Sequence, residues 1–201
     1  MVVSIIVLIF CLLGFAVIHS VLASLPVKRF IRRSLGSRAD DLYMPVYNII
    51  AVLTLIPLVY LLYKNPGPFI YIVPSPWRWF MVGGQIIVAI IGPRALRDAP
   101  HRFKLKGQLS APNTPEAGHL DIHGIYRWIR DPFLFSGLVF MCLTPFMTTN
   151  LLIIYILTTI YLVMGSLHWE SRLLAQFGDE YREYQKHVRR IIPRLKPYYE
   201  K

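Results

Sequence analysis

The stretch from residue 119 to residue 134 stands directly before a pair of apolar runs, and it reads HLDIHGIYRWIRDPFL. The two runs cover residues 133–147 and 151–167, and only residues 148–150 separate them. A charged tail follows from Glu170 onward. Because a hairpin returns the chain to the side from which it came, we expect the basic stretch and the tail to emerge on one side of a bilayer. A small ionic ligand would then fit between them, half in water and half in lipid.

The composition is that of a membrane protein. Hydrophobic residues make up 55% of the 201 residues and charged residues 16%, against roughly 25% charged residues in a typical soluble chain. The net charge of +11 comes from basic residues placed beside the apolar runs, which the positive-inside rule explains without nucleic acid. We therefore predict anionic membrane lipids as partners of this charge and no nucleic acid.

Five apolar runs predict an all-α, polytopic integral membrane protein of about five transmembrane helices. The runs cover residues 2–25, 44–63, 77–91, 133–147 and 151–167. About 20 residues of helix cross a ~30 Å hydrocarbon core, so the last two runs require tilt or local thinning of the bilayer. The first run is interpreted as a retained helix rather than a signal peptide, because Pro26 follows it and further spans come after.

Basic residues follow the first, third and fifth runs and are scarce elsewhere. This alternation predicts an N-terminus outside and a C-terminus in the cytoplasm. The chain is then one membrane domain, 1–201, in four consecutive parts. These are three N-terminal spans (1–92), a cytoplasmic loop (93–132), a helical hairpin (133–168) and an amphipathic cytoplasmic tail (169–201).

The tail from Glu170 to Val188 has helical periodicity. Its apolar residues recur at steps of three and four, at Leu173, Leu174, Phe177, Tyr181, Tyr184 and Val188. This helix is predicted to lie on the membrane surface or to cover the loop.

Two charged residues flank the hairpin. Glu170 lies close to the end of a predicted span, where a carboxylate needs a polar cavity, a cation or a helix N-terminus. Arg130 precedes the hairpin. Its guanidinium group either binds a carboxylate or phosphate through two parallel hydrogen bonds, or extends to the membrane interface. Asp131 and Pro132 fit the N-cap and first position of the following helix. Replacing Arg190, further along the tail, by alanine is expected to change binding or turnover little.

The histidines and cysteines do not have the spacing of a metal site. Cys11 and Cys142 both lie inside apolar runs and are interpreted as buried small hydrophobes. His19 lies inside the first run, where it either bonds a neighbouring helix or ligates a metal or haem. No metal site is predicted.

The segment Gly124-Ile-Tyr-Arg-Trp-Ile-Arg-Asp-Pro132 carries one motif, and Glu170, Leu173, Phe177-Gly178, Tyr181, Tyr184 and Ile192-Pro193 carry a second. Both resemble the signatures of the integral-membrane methyltransferases related to isoprenylcysteine carboxyl and phospholipid methyltransferases. The segment from His19 to Phe30, with Tyr47-Asn48, is similar to the NnrU-like and methanethiol S-methyltransferase branches. The resemblance covers residues 118–193 most specifically.

This resemblance implies a methyltransferase that binds S-adenosylmethionine at the cytoplasmic face through loop 93–132. Glu170 and Arg130 would be the catalytic residues. The cofactor-binding residues would be His119, Leu120, Gly124, Tyr126, Arg130, Pro132, Glu170, Tyr181 and Tyr184. Gly165 stands where prenylcysteine methylation uses an arginine, so a small lipophilic thiol or a lipid-like acceptor is favoured.

The chain also departs from the pattern. Asp131 stands where the superfamily has histidine, and Leu134 where many members have tyrosine. Two alternatives stay open. One is an NnrU-like protein that binds haem b through His19, as an isomerase or in nitrogen-oxide metabolism, and the other is a non-catalytic membrane protein. The oligomeric state is unknown from the sequence.

Overall fold

A computed structural model describes residues 2–98, 109, 120 and 122–199. Within these residues the chain forms six α-helices, one 3₁₀ helix and two short strands. In order they are α1 (Val2–Ala23), α2 (Leu25–Leu35), α3 (Arg38–Lys64), β1 (Phe69–Ile72), α4 (Trp77–Asp98), the 3₁₀ helix (Gly124–Arg127), α5 (Pro132–Cys142), β2 (Phe146–Thr148) and α6 (Thr149–His187). The predicted all-α membrane fold is confirmed.

Four of these helices, α1, α3, α4 and α6, are long and apolar enough to cross a membrane. They correspond to the first, second, third and fifth predicted runs. The fourth run is shorter than predicted, since α5 has 11 residues and covers about 16 Å at 1.5 Å per residue. The helix ends early because Pro145 follows, and the residue before a proline is disfavoured in the helical region.

A small antiparallel sheet takes the place of the predicted three-residue turn between the fourth and fifth runs. Strand β2 pairs with β1, with Phe69 opposite Thr148 and Ile72 opposite Phe146. The side-chain Nδ2 of Asn150 donates to the carbonyl of Asn65 over 2.8 Å and ties the start of α6 to the same corner. A short apolar segment fits a buried helix and a buried strand equally well, so the sequence pattern did not predict this pairing.

The chain divides into two compact units. The first contains α1, α2, α3, both strands and the start of α6. In it α1 packs against α3, with Leu8, Leu12 and Leu58 buried together with Ile154 of α6. The hydroxyl of Tyr43 on α3 donates to the carbonyl of Leu22 on α1. This unit is a bundle of apolar helices joined by a few polar contacts.

The second unit contains α4, the 3₁₀ helix, α5, the remainder of α6 and the chain after it. Here α4 packs against α5, and Gln85 of α4 donates from Nε2 to the Phe140 carbonyl over 3.1 Å. Gly137 of α5 lies so close to α6 that an added Cβ would stand 3.1 Å from Leu162 Cδ1. The described residues of the two sequence motifs belong to this unit.

The predicted tail helix is confirmed as the last part of α6. Its apolar face is buried in one core that comprises Leu120, Ile122, Leu173, Phe177, Tyr181, Tyr184 and Val188. The helix is interrupted at Gly178, where φ is +54° and ψ is −122°. A side chain at this left-handed position would be strained, so glycine allows the helix to break here.

Candidate functional site

The carboxylate of Glu170 is the centre of a polar cluster on α6. Its Oε1 forms an ion pair with Nη1 of Arg130, and its Oε2 forms an ion pair with Nη2 of Arg190. Oε1 also accepts hydrogen bonds from Gln185 Nε2 at 2.8 Å and from the Tyr181 hydroxyl at 3.4 Å. Glu170 is 8% exposed. Three of these donors lie on Oε1 and one on Oε2, so the carboxylate is held from several sides.

Local structure positions Arg130 before α5. Asp131 is the N-cap residue of this helix, and its Oδ1 accepts a hydrogen bond from Leu134 N at 2.8 Å. Pro132 occupies the first helical turn, as the sequence predicts. The capping role explains what aspartate does where the superfamily has histidine. It also directs the Asp131 carboxylate toward the helix N-terminus.

The chain after α6 folds back along the segment that carries Arg130. We call residues 188–199 the C-terminal strap. Arg130 N donates to the Arg189 carbonyl at 3.0 Å, and Asp131 N donates to the Arg190 carbonyl at 3.1 Å. Further along, Arg194 N donates to the Trp128 carbonyl, and Tyr198 N donates to the Arg127 carbonyl, each at 2.9 Å. These backbone bonds place Arg190 beside Arg130.

A second carboxylate, Asp98 at the end of α4, fixes the start of the same segment. Asp98 is 7% exposed, and its Oδ2 accepts a hydrogen bond from Ile125 N at 2.7 Å. Arg94 approaches the same carboxylate, with Nε 3.2 Å from Oδ1. Gly124 has φ +57°, and a Cβ there would stand 2.0 Å from Asp98 Oδ2. Glycine at this position is therefore required by the close approach of Asp98.

Several residues that the resemblance implies as cofactor contacts are packed beneath the cluster. Tyr126 and Tyr184 are 3% and 1% exposed, and the Tyr184 hydroxyl donates to the Tyr126 carbonyl at 2.6 Å. Leu120 is 1% exposed, and its N–H donates to Glu180 Oε1 at 2.9 Å. Pro132 is also buried. His119 lies outside the described residues.

Three buried polar atoms of this unit lack a hydrogen-bond partner in the part of the chain that the structure describes. They are Nε of Arg130, Nε of Arg190 and Oγ of Ser166. Ser166 lies one helical turn before Glu170, so both project from the same face of α6. Buried polar atoms are nearly always satisfied in folded proteins, so these three atoms are candidates for contact with a ligand.

Two guanidinium groups of the cluster form ion pairs with one carboxylate, and the nearby carboxylate of Asp131 caps α5. Burial, and then the positive charge of Arg130, lower the pKa of Arg190, while Asp131 opposes this shift. An arginine does not lose its proton in this environment. An anionic group on a ligand would therefore give the two guanidinium groups a second direct ion-pair partner.

His19 belongs to the first unit. Its Nε2 is hydrogen-bonded to the Tyr47 hydroxyl, which joins α1 to α3 and agrees with the helix–helix bond considered from the sequence. Among residues 2–98, 109, 120 and 122–199, no group of three or more histidine, cysteine, aspartate or glutamate residues could hold a metal ion.

Sequence reasoning missed four residues of the second unit that the structure brings forward: Asp98, Ser166, Gln185 and Arg190. Substitution of Arg190 was expected to change binding little, whereas the structure places its guanidinium in an ion pair with Glu170. In the sequence, only its position two residues before the Ile192-Pro193 pair of the second motif points to Arg190. Asp98 has a weaker sequence signal, because it is an acidic residue at the C-terminal end of a helix, where the helix dipole favours basic residues.

Comparison with known proteins gives one consistent result. The chain is 37% identical over 71 residues to a methanethiol S-methyltransferase of Mycobacterium tuberculosis, which is 35% of this chain and 29% of that protein. It is 33% identical over 96 residues to the enzyme of that name from Pseudomonas deceptionensis, covering 47% of this chain and 37% of that protein. A third match, from a Pseudomonas species, is 26% identical over 189 residues, or 90% of this chain and 70% of that protein.

No family model matches the chain, and no solved structure matches it. The matched segments span about a third of the first two relatives, 29% and 37% of their lengths. These matches confirm the resemblance that the two motifs carry, because the chain is similar to several proteins named methanethiol S-methyltransferase.

Proposed function

We propose that this protein is a membrane methyltransferase that uses S-adenosylmethionine to methylate a small lipophilic thiol. The observation that carries the proposal is the cluster of Arg130, Glu170 and Arg190, with buried donors that have no partner in the described part of the chain. The names of its relatives support the reaction class and the thiol acceptor.

The donor set fits the amino-acid end of S-adenosylmethionine. Its carboxylate matches the two arginine Nε–H groups, since guanidinium groups bind carboxylates through planar, charge-assisted hydrogen bonds. When bound, S-adenosylmethionine supplies a methyl group activated by a sulfonium. Arg130 and Arg190 would hold it, and the buried face that contains Tyr126 and Tyr184 would support the segment carrying Arg130.

In this proposal Glu170 is a positioning residue. Its carboxylate already accepts from two arginines, a glutamine and a tyrosine, so it keeps both guanidinium groups in place rather than removing a proton. The acceptor must then ionise without its help. A thiol, with a pKa near 8.5 for cysteine, does so far more readily than an alcohol.

The chain contributes orientation and exclusion of water. Methyl transfer needs the two reactants in line. When both are already bound in this geometry, the chemical step no longer carries the entropy cost of bringing them together. The apolar helix α4 packs against α5 and against the 3₁₀ helix that precedes Arg130. Their apolar side chains would bind a small lipophilic acceptor. The expected partners are therefore this acceptor and the membrane lipids.

The test is methyl transfer by purified protein in nanodiscs, with S-adenosylmethionine labelled in its methyl group. Methanethiol, a medium-chain alcohol and a phospholipid would be offered as acceptors. We expect labelled dimethyl sulfide in the headspace and none of the other products. Transfer to the alcohol or lipid alone would contradict the thiol acceptor. A folded protein that transfers to none of the three would contradict the proposed activity.

A further inference from the structure

We infer that Arg190 is a ligand-binding residue that acts with Arg130 to recognise a carboxylate, so that the site selects adenosyl ligands that carry an amino-acid carboxylate. The inference rests on the proposed function and adds to it a residue from the C-terminal strap. It explains why a charge from the end of the chain is brought to the carboxylate of a membrane helix.

The ion pairs use a terminal nitrogen of each guanidinium group and not its Nε–H. Arg130 binds Glu170 through Nη1, and Arg190 binds it through Nη2. The Nε atom of each arginine is buried and has no hydrogen-bond partner within the described residues. A planar anion that accepts from both Nε–H groups would satisfy them together, whereas a neutral or cationic group would not.

The balance of charge points the same way. Two guanidinium groups form ion pairs with one carboxylate, while the nearby carboxylate of Asp131 caps α5. The side chains of Arg130, Glu170 and Arg190 are 12%, 11% and 28% exposed. Two guanidinium groups that share one carboxylate repel each other, so an anion bound by both would stabilise the site. Ser166 adds a buried hydroxyl on the same face of α6 as Glu170.

The other arginines of the strap do not share this position. Arg189 is exposed, although it neighbours Arg190 in sequence. Arg194 donates from Nη1 to the carbonyl of His187 and so holds the strap to the end of α6. Only Arg190, among the described strap residues, forms an ion pair with Glu170. Arg189 is therefore the matched control.

The experiment measures, by isothermal titration in detergent, the affinity for S-adenosylhomocysteine and for its decarboxylated analogue, which keeps the adenosine and the amine. The proteins are wild type, Arg190→Gln and Arg189→Gln. We expect wild type to prefer the carboxylate-bearing ligand by about tenfold or more, the range of a lost charge-assisted hydrogen bond. Arg190→Gln should reduce this ratio to near one, and Arg189→Gln should leave it unchanged.

The outcomes separate the two claims. If folded wild type binds neither ligand, the proposed function fails and the inference fails with it. If wild type binds S-adenosylhomocysteine but shows no preference, or if Arg190→Gln weakens both ligands equally, the inference is overturned while the proposed function stands. Should Arg190→Gln not fold, Arg190→Lys keeps the charge without the planar fork. It should retain the fold and lose most of the preference, and an unchanged preference would overturn the inference.

Discussion

Arg190, the third residue after the last helix, and Glu170, in the middle of that helix, form an ion pair through Nη2 and Oε2. The pair joins the end of the chain to the carboxylate that also binds Arg130, so the two sequence motifs and the C-terminal strap meet at one point.

The first prediction is that Arg130 and Glu170 act as a unit. Arg130→Ala and Glu170→Ala should each weaken cofactor binding or turnover about tenfold or more, because losing one partner strands a buried charge. The double variant should lose less than the sum of the two single losses in free energy, since both remove the same interaction. Titration with S-adenosylhomocysteine and kcat/KM measure this.

Arg182→Ala is the control for this prediction, because Arg182 pairs only with Asp179 on the exposed face of α6 among the contacts described. It should leave affinity near wild type. Strictly additive or negligible effects of Arg130→Ala and Glu170→Ala would mean that the two residues are only interfacial charges.

The second prediction concerns Gly124. Gly124→Ala forces a Cβ to within 2.0 Å of Asp98 Oδ2 at a φ of +57°, so the variant must break the Asp98–Ile125 bond or shift the segment before Arg130. We expect a loss of about 2–4 kcal/mol in stability, from backbone strain together with the lost bond. Cofactor affinity should fall as well.

Gly83→Ala, on the same helix as Asp98, has nothing within 4 Å of its added Cβ and should be neutral or stabilising. Thermal unfolding in detergent compares the two variants. Equal midpoints would show that Asp98 does not hold the loop.

The third prediction is that Asp131 caps α5. Asp131→Ala should cost about 1 kcal/mol of stability, while Asp131→Asn should cost little, because asparagine accepts the same hydrogen bond from Leu134 N. Denaturation midpoints of the three proteins decide the matter. A loss of the same size in Asp131→Asn would point to the charge, rather than the cap, as the contribution of this residue.

The fourth prediction is that His19 is a structural residue. His19→Ala removes the bond to Tyr47 and should lower stability by about 1 kcal/mol, the typical net contribution of such a bond, while cofactor affinity stays near wild type. Tyr47→Phe removes the same bond and should have a similar effect. Purified wild type with a Soret band that His19→Ala abolishes would instead favour the haem-binding alternative.

Local patterns were enough to predict most of the secondary structure. The apolar runs indicated α1, α3, α4 and α6 because a helix must be long and apolar to cross the hydrocarbon core of a bilayer. The Asp131-Pro132 pair indicated the start of α5, and the spacing of Phe177, Tyr181 and Tyr184 indicated the buried face of the tail. In each case the deciding residues are neighbours along one element.

The sequence by itself thus determined the membrane helices, the position of the two motifs and the family that they resemble. Only the tertiary structure decided that β1 pairs with β2, that Asp98 bonds Ile125 and that Arg190 joins Arg130 on Glu170. These contacts link residues 20 to 80 positions apart, or join them through backbone bonds of the strap. Charges at such distances leave no periodic signal, because their partners are chosen by how the helices pack and not by spacing along the chain.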